Sequence, residues 1–410
     1  MAGTDRGDLT RTAILALLGT VGPLSRSEIA RELDLSPATV TQLTKELIGH
    51  GMLEELDLKP SRGGRPAQRL GVVGSAGRAL GVKVTADHLV LVDVRLDGEV
   101  LGSWETPHDP AAPDALDRLA AAVESVVREL SAGPPLLGVG VGVPGSVEDQ
   151  AVGTVRAPTL GWQAMPVGER LRRRLDLPVL VENDVNALAA AERLYGRGRT
   201  HRDFLVLTIG RGVGAAIVAD GRVYRGARGG AGEFGHLPVD PQGPPCGCGA
   251  RGCLEAFVGS AGLLAAAHAR TTGRTPGTEP PATRDPLGAV AALGRAARGG
   301  DADIRAVFAE AGAILGRATA GLINVVDPEV VVVLGEGTAE WPLWRTGFEP
   351  ALRAQLYPGR RDISVEVESW DDTSWAQGAA ALVLATPFDA AGAAGEQGRL
   401  VRARLIGAAS

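Results

Sequence analysis

A chain of 410 residues, 45% hydrophobic and only 4% aromatic, is long enough for two or three domains whose cores are packed mostly by alanine, valine and leucine. No basic N-terminal segment precedes an apolar run, and nowhere do about eighteen uncharged apolar residues follow one another, so signal peptide and membrane span are unsupported and a cytoplasmic protein without a membrane partner is expected. The formal net charge of -6 argues against general polyanion affinity, so any nucleic-acid contact must be local.

Thr10 to Leu18 and Ser27 to Leu33 read as two short helices, with Ile14, Leu17, Leu18, Ile29 and Leu33 at helical spacing. Ser36 can cap a third, with Pro37 in the first helical position, where a missing amide costs nothing. Val40, Leu43, Leu47 and Ile48 define its apolar face and leave Ala38, Thr41, Gln42 and Lys45 opposite, small or polar and able to reach base edges or phosphates. Met52 to Asp57 and Gln68 to Val72 then read as two strands around a glycine-rich turn. Lys59, Arg62, Arg65 and Arg69 fall in this region with no acid between them, and Arg62 and Arg65 are the candidates for a phosphate or a narrow minor groove. This order predicts a winged helix-turn-helix contacting DNA through Ser36, Ala38, Thr41, Gln42, Lys45, Arg62 and Arg65. A small helical dimerisation domain with a solvated basic loop is the alternative.

From about Arg78 the pattern becomes an α/β alternation: strands at Ala79 to Val84, Leu89 to Leu96, Leu136 to Val143 and Val179 to Val181, and helices at Ala115 to Leu130, Pro166 to Leu175 and Val185 to Tyr195. A second lobe opens at Phe204 to Gly210 and includes a Pro/Thr/Gly-rich surface loop at Thr271 to Pro286, a helix at Ala306 to Ile323 and a strand at Val330 to Leu334. The predicted organisation is a winged helix-turn-helix domain over residues 1–72, a first α/β lobe over 73–196, a second over 197–386 and a small-residue-rich tail over 387–410, partly disordered.

The chain's three cysteines, Cys246, Cys248 and Cys253, follow His236 within seventeen residues, among glycines that permit sharp bends. Three thiolates and one imidazole make a closed tetrahedral shell, which suits a structural zinc with no open position for water. Asp184, after Asn183, lies at a strand's carboxyl end, where ligands sit in open α/β sheets. Glu233 and His236 precede the thiols and Glu255 follows them, so folding around a metal would gather several acceptors of the kind polyhydroxyl ligands need. A histidine bound to zinc through one ring nitrogen has the other left to donate. The competing reading makes these acids exposed loop residues or helix N-caps.

Glu233-Phe234-Gly235-His236, Cys246-Gly247-Cys248 with Gly252-Cys253-Leu254-Glu255, and Glu182-Asn183-Asp184 with Gly142-Val143-Pro144-Gly145 together resemble the ROK family of repressors, open reading frames and kinases, from about residue 8 to about residue 385. The resemblance implies a two-lobed actin-like, ribonuclease H-like sugar-kinase fold, zinc on His236, Cys246, Cys248 and Cys253, and sugar hydroxyls on Gly145, Asn183, Asp184, Glu233, His236 and Glu255. In kinase members the aspartate at the position of Asp184 is the general base. Those kinases also carry an Asp-x-Gly-Gly-Thr phosphate loop where this chain reads Gly81-Val82-Lys83-Val84-Thr85-Ala86-Asp87, with lysine in place of the aspartate. Side chains and a negative charge where glycines should admit phosphate predict poor ATP binding. Arg211 in Gly210-Arg211-Gly212 and Glu336 in Gly335-Glu336-Gly337 are further departures.

The expectation is therefore a sugar-responsive transcriptional repressor with no catalytic residue, acting as a homodimer or homotetramer on an approximately palindromic operator. The alternatives are a sugar kinase with Asp184 as base, and a DNA-binding regulator whose partner is another protein and whose sugar pocket is vestigial.

Overall fold

A computed structural model of the protein describes residues 6–59, 67–130, 132–149, 152–273, 283, 285–368, 373–388 and 395–407. Helix α1 (Arg6–Val21), strand β1 (Leu24–Ser25), α2 (Arg26–Glu32), α3 (Pro37–Gly49), β2 (Leu53–Lys59) and β3 (Ala67–Val72) come first, the strands pairing antiparallel in the order β1-β3-β2. Ser25 and Glu28 cap α2 reciprocally, each side chain accepting from the other's backbone N–H. Asp34, at φ 51°, takes the left-handed turn between α2 and α3 that an aspartate tolerates. Ile14, Leu18, Ile29, Val40, Leu47, Leu53 and Leu70 close the core of this winged helix-turn-helix.

The next body is built on a five-stranded sheet. Its elements are β4 (Arg78–Val84), β5 (His88–Arg95), β6 (Val100–Pro107), α4 (Ala115–Glu129), β7 (Leu136–Val143), β8 (Ser146–Asp149), β9 (Thr154–Ala157), β10 (Trp162–Pro166), α5 (Val167–Leu175), β11 (Val179–Asn183) and α6 (Asp184–Leu194). The strand order is β11-β7-β4-β5-β6, parallel from β4 to β11 and antiparallel from β4 to β6. Strands β8, β9 and β10 form a separate antiparallel sheet that buries Trp162.

A second unit, His201–Asp372, repeats the same plan. It contains β12 (Phe204–Ile209), β13 (Val213–Ala219), β14 (Arg222–Val223), α7 (Glu255–Val258), α8 (Ser260–Thr272), α9 (Pro286–Arg298), α10 (Ala302–Val326), β15 (Val330–Leu334), α11 (Trp341–Gln355) and β16 (Ser364–Val367). Its sheet order is β14-β13-β12-β15-β16, again three antiparallel strands joined to a parallel pair. Among the described residues α10 alone has the length and apolarity of a membrane-crossing helix. Its Val307, Phe308, Leu315 and Ile323 are buried in this unit's core, and Gly312 and Gly316 let the backbone of α11 approach, since an added methyl would lie 2.2 Å and 2.4 Å from the Trp344 and Phe348 carbonyls.

The end of the chain departs from the expected boundaries. Helix α12 (Ser374–Leu384), assigned from sequence to the second lobe at 197–386, belongs with residues 1–200 and lies on the first sheet. The fit is close: a methyl on Gly81 of β4 would meet the Ala376 carbonyl at 1.8 Å, and one on Gly140 of β7 would meet the Ala379 carbonyl at 1.8 Å. The tail at 387–410, expected to be partly disordered, contains α13 (Gly395–Gly407). Val401 and Leu405 of α13 are buried, and Gln397 accepts from the Val179 N–H at 3.1 Å. An apolar period diluted by Gly, Glu and Arg hides this helix in sequence, because its burial depends on a face supplied by the first sheet.

Replacing Gly140 by alanine should therefore overpack the α12 seat and cost about 2 kcal/mol, read as a lower urea midpoint. An unchanged midpoint would contradict the close seating of α12.

Candidate functional site

The exposed face of α3 carries the expected DNA readers. Ser36 caps the helix by accepting from the Thr39 N–H at 3.1 Å, and Ala38, Thr41, Gln42 and Lys45 are exposed opposite buried Val40, Leu43 and Leu47. Ser36 is thus a structural cap that also sits at the exposed N-terminal end of the face. Thr41 donates to the Pro37 carbonyl at 2.7 Å and Gln42 to Glu46 at 3.2 Å, while Arg11 of α1 pairs with Glu46 at 2.7 Å and sets the two helices together. Arg62 and Arg65 lie outside the described residues.

In the first unit the sequence brings Gly145, Asn183 and Asp184 together where β11 runs into α6. Gly145 needs its positive φ of 90°, and a methyl there would meet the Arg156 carbonyl at 2.3 Å. Asn183 accepts from the Val185 and Asn186 N–H groups at 2.9 and 3.1 Å and donates to the Gly145 carbonyl at 2.9 Å. Its polar atoms therefore cap α6 and tie the two loops, the N-cap role weighed against a ligand role. Asp184, 8% exposed, accepts from the Val185 N–H through Oδ1 and forms an ion pair through Oδ2 with Lys83. Lys83 is also 8% exposed, and its ammonium lies 4.3 Å from the centroid of the Trp375 ring at the start of α12. Sequence reasoning singled out Lys83 for its place in a degenerate loop but missed its partners, 101 and 292 residues away. A usable signal was there: Lys83 is one of three lysines in the chain, inside the otherwise apolar stretch from Ala79 to Val84.

The segment that would bear the first phosphate loop is a tight turn. Thr85 accepts from the His88 N–H at 3.0 Å and donates to the His88 carbonyl at 2.7 Å, and His88 Nδ1 lies 2.7 Å from Asp87.

In the second unit, Gly232 to His236 is laid along β13. A methyl on Gly232 would lie 2.1 Å from the Ala215 carbonyl and one on Gly235 would lie 2.2 Å from that of Val213, so only glycine lets the strap approach. Glu233 is exposed beside His236, whose Nε2 lies 3.8 Å from the Glu233 carboxylate. Glu255, the first residue of α7, accepts from the Val213 N–H at 3.1 Å, so one of its two oxygens is committed to the backbone. Gly210 and Gly212 are each covered by a carboxylate: methyls placed there would lie 2.0 Å from Glu336 Oε2 and 2.2 Å from Glu255 Oε2.

His236, Cys246, Cys248 and Cys253 present ligand atoms that all lie within 4.8 Å of one another. Backbone pairing creates this convergence. The Leu254 N–H donates to Leu237 at 2.9 Å, bringing Cys253 back beside the histidine strap, and the Cys246 N–H donates to Ala250 at 2.8 Å, folding the Cys246-Gly247-Cys248 turn. His236 Nδ1 is 3.6 Å from Cys246 Sγ, and the Cys248 and Cys253 sulfurs are 3.8 Å apart. Burial pushes the Cys246 thiol up and Cys253 up to about 12, whereas the Ala250 N–H beside Cys248 pulls that thiol down. The four side chains form a cluster that could hold a metal ion.

A winged helix-turn-helix followed by two like α/β bodies, the second carrying a His/Cys cluster, defines a DNA-binding domain joined to an actin-like sugar-kinase fold. The chain belongs to the ROK family, which it matches over residues 79–386, and residues 8–59 match the MarR family. It is 29% identical to a xylose repressor from Caldicellulosiruptor bescii, over 88% of this chain and 92% of the relative. It is likewise 29% identical to the DNA-binding transcriptional dual regulator NagC of Escherichia coli, over 92% of each. The solved structure of a ROK family transcriptional regulator, a homolog of the E. coli MLC protein, superposes with a TM-score of 0.79 at 27% identity, covering 98% of this chain and 99% of that one. A ROK family glucokinase from Streptomyces griseus, solved with glucose and AMPPNP, superposes at 0.63 with 29% identity, over 75% of this chain and 99% of the kinase.

Cys248→Ser should remove one ligand and lower bound metal, counted by elemental analysis after dialysis, by at least about tenfold in affinity; full metal content in this variant would contradict the four-residue cluster. Lys45→Ala should weaken DNA binding across sequences and lower the slope of log affinity against log salt by about one, and an unchanged slope would remove Lys45 from the interface.

Proposed function

We propose that the protein is a sugar-responsive transcriptional repressor that binds an operator and does not transfer phosphoryl groups. The observation that carries the last part is the Lys83–Asp184 ion pair. A general base must reach the sugar hydroxyl and take its proton. Here the carboxylate at that position accepts from an ammonium that would have to be displaced first. The Glu336 carboxylate over Gly210 supports the same reading, because phosphate would meet negative charge where a phosphate loop offers amides. The exposed face of α3, the MarR match and relatives named as repressors of xylose and N-acetylglucosamine systems support DNA binding under sugar control.

In this reading Ala38, Thr41, Gln42 and Lys45 approach bases and phosphates, with Arg62 and Arg65 of the wing on the backbone or minor groove. A homodimer or homotetramer would place two recognition helices on half-sites of a roughly palindromic operator. Asn183 positions Asp184, Gly145 shapes their loop, and Glu233, His236 and Glu255 are the second unit's candidate sugar acceptors and donor. A cytoplasmic location follows from the DNA partner.

We assign zinc to the His/Cys cluster. Tetrahedral zinc, with Zn–S of about 2.3 Å and Zn–N of about 2.0–2.1 Å, sets its ligand atoms about 3.6 Å (N to S) and about 3.8 Å (S to S) apart. Two of the six separations are 3.6 Å and 3.8 Å, and all four ligand atoms lie within 4.8 Å of one another. The ion would supply fixed geometry and no reactive position, orienting His236 through Nδ1 while Nε2 faces Glu233.

The likeness to the S. griseus glucokinase favours phosphoryl transfer as the second reading. One experiment separates them. Thermal unfolding with D-xylose, D-glucose or N-acetylglucosamine, with and without Mg-ATP, should give a sugar-specific shift that ATP does not change; ligand at about a hundred times its dissociation constant adds about 2.7 kcal/mol. Sugar-dependent release of ADP, lost in Asp184→Asn, would establish the kinase instead.

A further inference from the structure

The side chain that occupies Asp184 is anchored to a helix whose following turn, Thr386–Phe388, packs against α1 of the DNA-binding domain. Lys83 lies between the Asp184 carboxylate and the Trp375 ring at the first turn of α12. From there α12 runs across β4 and β7 with almost no clearance, its Ala376 and Ala379 carbonyls against Gly81 and Gly140. A third close contact lies on the far side, where Gly378 faces the Leu188 backbone of α6 at 3.0 Å from a placed methyl. A helix whose backbone is seated on glycines on two sides has little room to tilt independently of the sheet and of α6.

The C-terminal end of α12 is fixed just as closely. Thr386 donates to the Val383 carbonyl at 2.8 Å, and Arg402 of α13 donates to the Thr386 carbonyl at 3.1 Å. This turn presents Phe388, 7% exposed, to α1, where a methyl on Gly19 would lie 2.7 Å from the ring. Phe388, Val401 and Leu405 share one buried cluster with Ile14, Leu18, Val40 and Leu47 of the winged helix and with Ala376, Ala380 and Leu384 of α12. Helix α1 in turn holds the recognition helix through Arg11 and Glu46.

We propose that α12 is the coupling element of the regulator, with Lys83 and Phe388 as its positioning residues: Lys83 reports the state of Asp184 to Trp375, and Phe388 passes the position of α12 to Gly19 of α1. A ligand hydroxyl that claims the Asp184 carboxylate loosens the hold on Lys83, and α12 with its Phe388 wedge is the two-ended body that this change biases. The sugar step rests on the proposed function; the mechanical link between Lys83, α12 and α1 does not.

Two measurements test it on the full-length protein. Hydrogen exchange of Lys83→Met should rise about tenfold in both α12 and α1 while α4, in the same unit, stays at the wild-type rate; Trp375→Leu should do the same should Lys83→Met misfold, and Lys83→Arg should restore protection. Faster exchange in α12 with α1 unchanged overturns the link. The second measurement uses the duplex that the wild-type protein selects from random-sequence DNA, with D-xylose, D-glucose and N-acetylglucosamine as probes. Phe388→Leu should keep sugar affinity and sugar-free operator affinity within about threefold of wild type and lose most of the sugar-dependent change in operator affinity. A full sugar response in Phe388→Leu overturns the proposal. Should none of the three sugars change wild-type operator affinity, the exchange measurement still decides the link, and only the sugar reading fails.

Discussion

Lys83 and Asp184 meet at the carboxyl ends of the parallel strands of the first sheet, and both are buried there. At 8% exposure each charge depends on the other, because a buried charge without its partner is left uncompensated. The strand that carries Lys83 must therefore keep its register with β7, and β11 must deliver Asp184 to the first turn of α6, where the helix N-terminus also favours a negative charge. Trp375 gives the ammonium its second contact and so ties the start of α12 to the same point.

The DNA-binding domain has no separate core. Apolar residues of α1, α2 and α3 join those of the first sheet, α12 and α13 in one buried cluster, so the reader is built onto the α/β body. Small residues make this possible. With aromatic residues at only 4% of the chain, the cores are packed mainly by leucine, valine and alanine, and backbones come close at Gly81, Gly140, Gly312 and Gly347.

Much of this was legible in sequence where the signal is local. The Ser36-Pro37 cap, the apolar period of α3 and the clustered thiols each carry their own chemistry: Ser36 caps α3, its apolar face is buried, and the thiols gather with His236 in a cluster that could hold a metal ion. The α/β class followed from the strand and helix alternation, and the actin-like sugar-kinase fold from the family resemblance. What the sequence concealed is non-local. β6 alternates too weakly to announce a third strand, and β8 to β10 are four or five residues long and gain order only by pairing around Trp162. Helix α12 reads as apolar without saying which sheet it covers, and α13 has a buried face only because the first unit supplies one. At the candidate site, Asn183 and Asp184 were weighed as ligand contacts or caps. Asn183 caps α6, and Asp184 is paired with a lysine whose significance had been read only as the absence of an aspartate.

The scarcity of lysine gives a direct probe of the central interaction. Reductive methylation followed by peptide mass spectrometry reports each of Lys45, Lys59 and Lys83 separately. If Lys83 is buried and paired with Asp184, it stays unmodified in the folded protein while exposed Lys45 reacts, and Asp184→Asn makes it react. Lys83 labelled as fast as Lys45 in the wild-type protein would contradict the ion pair and, with it, the case for a regulator that has given up phosphoryl transfer.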